Sequence, residues 1–147
     1  MRFAILFFAG VVAVSAPASA DKGQENYELV SAMGSLQYFL HKTGLALRSA
    51  NYRLASFYLH EIEEVLEEIG KVESYDGHPV GKMSGEATAE VLEALERAVK
   101  DEKRGASRRA YSDMIKACNT CHTATDHGFI KVRDRSGRNP FMQSFGK

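Results

Sequence analysis

Residues Leu29, Met33, Leu36, Leu40, Thr43 and Leu47 follow one another in steps of four, three, four, three and four. A seam of that kind lies along one face of a helix, and a lone helix cannot bury it. Asn51 interrupts the pattern, and a second helix carries Leu54, Tyr58, Ile62, Val65 and Ile69 on one face. Its opposite face holds Glu61, Glu63, Glu64, Glu67 and Glu68, which read as a solvated surface without a function of their own. Gly70 ends this helix. Residues 71–85 make the longest connection and contain the turn formers Tyr75-Asp76-Gly77 and His78-Pro79. Ser84 is expected to cap a third helix with the stripe Ala87, Val91, Leu95, Ala98 and Val99. Gly105 is expected to break the chain before a fourth helix marked by Ala110, Tyr111, Met114, Cys118 and Cys121. No alternating stretch long enough for a sheet occurs before residue 129. The expected fold is all-α: an antiparallel up-down-up-down four-helix bundle with a C-terminal extension.

That bundle does not need the whole chain. Met1-Arg2, an apolar run from Phe3 to Val14 and the small-residue exit Pro17-Ala18-Ser19-Ala20 have the order of a secretory signal peptide. The run is short for a membrane span, which takes roughly 20 apolar residues. Residues 1–20 are therefore expected to be a signal peptide, 21–125 the bundle and 126–147 the extension. The mature product is expected to be soluble and periplasmic, with no membrane anchor after cleavage. Without the leader the chain has 18 basic and 19 acidic side chains, a near-neutral total that argues against a nucleic-acid partner. The balance is uneven: residues 21–102 hold 8 basic and 16 acidic side chains, and residues 103–147 hold 10 and 3. Such asymmetry either steers docking on a charged protein or lets two halves of one bundle complement each other.

The chain has two cysteines, both in Cys118-Asn119-Thr120-Cys121-His122 on the fourth helix. Two cysteines in an exported protein can form a disulfide. Placed three apart in a helical pattern, with a histidine directly after, they read first as the attachment site of a c-type haem. Each thiol adds across one vinyl group to give a thioether, so Cys118 and Cys121 are the expected anchors of one covalent haem c. On a helix, residues three and four apart share a face, which turns Cys118, Cys121 and His122 toward one flat ligand. The neutral imidazole of His122 is then the proximal iron ligand. Its other ring nitrogen is expected to donate to a carbonyl or a carboxylate. A structural zinc site would need four ligands, and no second Cys/His pair has suitable spacing. A thioredoxin-type dithiol would need a strand–helix setting, and the surroundings are helical.

An exported four-helix bundle with this motif on its last helix resembles the class II c-type cytochromes, the cytochrome c prime group. Ala117-Cys118-Asn119-Thr120-Cys121-His122 followed by His127-Gly128-Phe129-Ile130 is more similar to small, poorly characterised periplasmic monohaem proteins of bacteria. The bundle similarity covers most of residues 24–122, and within it only the haem motif is specific. The resemblance implies haem held by Cys118 and Cys121 with His122 as proximal ligand. Chains of the group end soon after the motif, with a basic residue close behind the histidine. Here Thr123-Ala124-Thr125-Asp126 follows instead, which leaves the partner of the haem propionates open. The long extension is basic and either trails free or docks through Phe129, Ile130, Val132, Phe141 and Phe145.

The sixth iron position decides the function. In an alternating bundle the end of the fourth helix lies beside the start of the first, which makes Met33 the leading candidate for sixth ligand. The resembled family supplies there either a methionine or an apolar residue that leaves the iron open. A methionine in an apolar seam is otherwise core. His41, roughly 12 Å further along the helix, and His127, close behind the motif, are secondary candidates. His60 and His78 are expected to be ordinary solvated residues. With a sixth ligand the protein is an electron carrier serving an unidentified redox partner. With an open face it binds a diatomic gas such as NO or CO. Catalysis would need a placed distal acid–base group; none is evident, and no enzyme activity is expected. The resemblance also allows a homodimer, although no sequence feature fixes an interface.

Overall fold

The structure, a computed structural model, describes residues 18–135, 137–141 and 143–146, with side chains from Tyr27 onward. The leader expected over residues 1–20 lies, except for its last three residues, outside the described residues. The helices are α1 (Ala18–Arg48), α2 (Tyr52–Gly70), α3 (Val80–Lys100) and α4 (Arg104–Ala124). Each packs on its neighbours in sequence, and α4 closes the ring against α1. No strand occurs among the described residues, where Tyr75 and His78 form an isolated bridge within a turn. The expected all-α four-helix bundle is the fold that forms, and its short connections fix the alternation of direction.

The turns explain where the helices stop. Ala50 takes a positive φ of 50°, and the Asn51 side chain then accepts from the Leu54 amide at 3.1 Å to cap α2. Two expected boundaries need correction. The third helix starts at Val80 directly after Pro79, not at Ser84, which sits inside it with its hydroxyl donating to the Gly81 carbonyl at 2.9 Å. Gly105 does not break the chain either, because it lies in the first turn of α4. The break comes earlier, where Glu102 turns to a φ of 51°. The α3 stripe is also rotated from the one expected. Gly81, Ser84, Thr88, Leu92, Leu95 and Val99 are buried, while Ala87 and Val91 are half-buried.

Leu29, Leu36, Leu40, Thr43 and Leu47 of the α1 seam are all buried, and Met33 is half-buried. Beyond Lys42 the burial spreads around the helix to include Leu45 and Ala46, off the seam. The C-terminal extension lies against this end of α1, at His41, Lys42 and Arg48. It packs back on α1 and α2, and Phe145 enters the core at 5% exposure. The Asn51 amide that helps to cap α2 also donates to the Gly146 carbonyl at 3.1 Å. Tyr58 donates to the Gln143 side chain at 2.8 Å. The Lys42 ammonium lies 4.3 Å from the Tyr38 ring centroid and 5.1 Å from that of Phe141, a cation–π arrangement. Of the two courses open to the extension, the docked one is observed, through Val132, Phe141 and Phe145, while Phe129 stays 78% and Ile130 48% exposed.

Candidate functional site

The contact between α1 and α4 is the thinnest in the ring, and a cleft of about 250 Å³ opens there. Its α1 wall holds Leu29, Met33, Leu36 and Leu40; its α4 wall holds Cys118, Cys121 and His122. Ser84 and Thr88 of α3 close the back, and Ile130 and Val132 of the extension form one edge. Ser84 and Thr88 add no unpaired polarity. Their hydroxyls donate along their own helix, to Gly81 and Ser84 carbonyls at 2.9 and 2.7 Å. The lining is therefore almost wholly apolar apart from the motif.

Both thiols are free and buried at 8% exposure. Burial pushes Cys118 up to about 11 and raises Cys121 as well. A redox-active dithiol depends on a depressed thiol pKa, so these cysteines have the opposite of the environment that chemistry needs. Among the described residues no three His, Cys, Asp or Glu side chains gather as a metal site, and a zinc centre of protein ligands is not built.

His122 closes the last full turn of α4. Its Nδ1 donates to the Ile130 carbonyl at 2.9 Å, which fixes the Nδ1–H tautomer and leaves Nε2 as the basic nitrogen. The end of the helix is built to hold that ring. The Thr125 hydroxyl donates to the Cys121 carbonyl at 3.0 Å, and the His127 amide donates to the His122 carbonyl at 2.7 Å. Asp126 reverses the chain with a φ of 61°. The extension is brought to His122 by Asn119, one of the two residues between the cysteines. Its side chain accepts from the Val132 amide at 2.8 Å and donates to the Val132 carbonyl at 3.0 Å.

The candidate sixth ligands separate clearly. Met33 lies on the cleft wall with the motif. His41 does not line this cleft; its Nε2 donates to the carbonyls of Arg135 and Arg138, each at 3.1 Å. His127 lies at the cleft, but its Nδ1 is 2.6 Å from the Thr125 carbonyl and its Nε2 is 3.6 Å from Asp76. His60 is solvated as expected, 3.3 Å from Glu64. His78 corrects the expectation of a solvated residue. It is half-buried and stands 3.3 Å from Asp126. The pairs His78–Asp126 and His127–Asp76 thus join the α2–α3 loop to the turn after α4 at one end of the cleft.

Sequence reasoning singled out Cys118, Cys121, His122 and Met33, and the fold brings all four to one cleft. It missed Asn119, Thr125 and the Ile130 carbonyl. Asn119 had a signal, an amide inside the motif on a helical face; a backbone carbonyl has none. No family model matches the chain, and no curated protein or solved structure is found to match it.

Proposed function

We propose that this protein is an exported monohaem c-type cytochrome whose main task is electron transfer. The observation that carries the reading is the shared wall of one apolar cleft: two buried thiols, and a histidine whose Nδ1 is already committed to a carbonyl. A haem group would be held by thioethers from Cys118 and Cys121 and by Nε2 of His122. When bound, it supplies a one-electron couple whose potential follows from axial ligand, hydrogen bonding and burial. The chain's own part is to orient and insulate. The Ile130 carbonyl holds the His122 ring in one orientation and one tautomer. Leu29, Leu36 and Leu40 keep water from the cleft. Val30 and Ile130, which line the cleft while 60% and 48% exposed, leave an apolar mouth to solvent for a redox partner protein.

Met33 is the proposed sixth ligand, since His41 and His127 have their ring nitrogens engaged elsewhere. The same engagement favours one second reading. If Met33 stays in the wall, no other candidate replaces it, and an open iron face against leucines would hold a diatomic gas such as NO or CO. Acid–acetone extraction tests attachment: haem should stay with the protein, and free haem in the solvent defeats the proposal. Spectra of the reduced protein with and without CO then choose between the readings. A low-spin spectrum that CO leaves unchanged, and that Met33→Ala converts to a CO-responsive one, is the result expected for electron transfer.

A further inference from the structure

The apolar cleft continues into a second hollow of about 280 Å³, which shares Gly34, Gln37, Leu40 and Val132 with it. The chemistry changes across that shared boundary. The second hollow is lined by Tyr111 of α4, His41 of α1, and Arg133 and Arg135 of the extension. Both arginines sit on a stretch of main chain that is fixed on either side of Arg133. Asn119 bonds Val132 at its N–H and its carbonyl, and His41 donates to the carbonyl of Arg135. Burial, and next the Asp134 carboxylate, keep the Tyr111 phenol well above the usual tyrosine range, so its hydroxyl is protonated. Asp134, between the arginines in sequence, offsets part of their charge.

A haem is itself divided in this way, with an apolar macrocycle and two propionate carboxylates along one edge. It needs an apolar slot and an anion-binding end placed in series. Thr123-Ala124-Thr125-Asp126, directly behind the motif, contains no cation for the second task. Resting on the haem reading above, we infer that Arg133 and Arg135 bind the propionates, so that the extension completes the cofactor site. Guanidinium groups suit carboxylates through paired N–H donors. His41 is a positioning residue here, because it holds the Arg135 main chain.

The test compares ferric protoporphyrin IX with its dimethyl ester, each titrated into the haem-free full-length chain and followed by Soret absorbance. Two partly exposed charge pairs together support a preference for the free acid of about tenfold. Arg133→Gln with Arg135→Gln should reduce that preference to about twofold or less, and the paired Lys substitutions should keep part of it. Circular dichroism of each variant establishes that the bundle is intact. In the covalently loaded protein, the double Gln variant should have a lower midpoint potential, because two cations near the ligand disfavour the more positive ferric state. An unchanged free-acid preference in the folded double Gln variant overturns the inference while covalent attachment stands. A chain that neither attaches nor binds either porphyrin defeats the haem reading, and this inference with it.

Discussion

Asn119 links two parts of the molecule that are far apart in sequence. Its amide bonds both main-chain groups of Val132 and also donates to the Ile115 carbonyl at 3.0 Å. Asn119→Ala removes these bonds and leaves half-buried main-chain groups without a partner, at a cost of about 1–3 kcal/mol. Native-state hydrogen exchange is the direct measurement. The Val132 amide should lose protection far more than the α2 core amides, and equal loss everywhere would mean that the tie is not local. Cys118 gives a pH-dependent counterpart at the same scale. Its thiol is raised from an ordinary value of 9.0 to about 11 by burial. Between those values the folded chain keeps a proton that the unfolded chain releases. The stabilisation is therefore complete below about pH 9 and declines as the pH rises to about 11, by at most about 1.4 kcal/mol per unit. The haem-free Cys118→Ala chain should lack that share of the decline. Tyr111 is raised in the same direction, first by burial and next by Asp134. Both causes persist in the two chains, so its share cancels except for the smaller part that comes from Cys118. Parallel denaturant midpoints for the two chains across this range would show that the thiol is not buried as described.

At the scale of elements, two helical glycines should respond to the same substitution with opposite sign. A Cβ on Gly81 would lie 2.5 Å from the Val72 carbonyl oxygen and 2.6 Å from that of Gly70, both of them backbone atoms that cannot rotate away. That contact is where α3 starts against the end of α2, with the Gly81 amide donating to Val72 at 3.0 Å. Gly81→Ala should cost about 1–3 kcal/mol through overpacking. A Cβ on Gly34 meets nothing within 4 Å, so Gly34→Ala should gain up to about 1 kcal/mol from helix propensity. Urea midpoints at unchanged m-value check both, and stabilisation by both would mean that the α2–α3 junction is looser than described. The same junction shows why α3 was only partly legible in the sequence. Its buried face carries Gly81, Ser84 and Thr88, small or polar residues that an apolar count passes over. Their hydroxyls are satisfied within the helix, so the face can be buried without looking hydrophobic. Ser84 consequently looked like a cap. The α1 seam was legible from its leucine spacing and the end of α2 from Gly70. The α2 face was legible in part: Tyr58, Ile62 and Ile69 are buried, Leu54 and Val65 are half-buried, and buried Tyr52, Ala55 and Leu59 were passed over. Gly105 misled for the converse reason: glycine is tolerated in a first helical turn, and Glu102 made the reversal.

At the scale of the whole molecule, the extension was the least legible part. Its aromatic residues signalled docking and its charges signalled solvent, and nothing local decides between them. The decision rests on partners distant in sequence, His41, Asn51 and Asn119, whose polar side chains accommodate its main chain. The extension contributes to the fold through Phe145 and to the site through Ile130 and Val132, and those contributions can be separated. Phe145 is 5% exposed and packs near Tyr58, with ring centroids 6.4 Å apart. Phe145→Ala should therefore cost about 3 kcal/mol while the ties of Ile130 to His122 and of Val132 to Asn119 remain. Its porphyrin affinity should stay close to that of the full chain when measured well below the melting temperature. A chain ended after Gly128 loses both contributions. It should melt lower than Phe145→Ala, because the apolar surface of α1 and α2 beneath the extension is also exposed. It should bind porphyrin more weakly as well, since His122 loses the carbonyl that fixes its tautomer and the site loses Ile130, Val132, Arg133 and Arg135. Thermal melts and porphyrin titrations on the three chains resolve the two effects. If the shortened chain melts with the full one, the extension is no part of the folded core. If it binds porphyrin equally well, neither the Ile130 carbonyl nor the Arg133 and Arg135 pair contributes to the site.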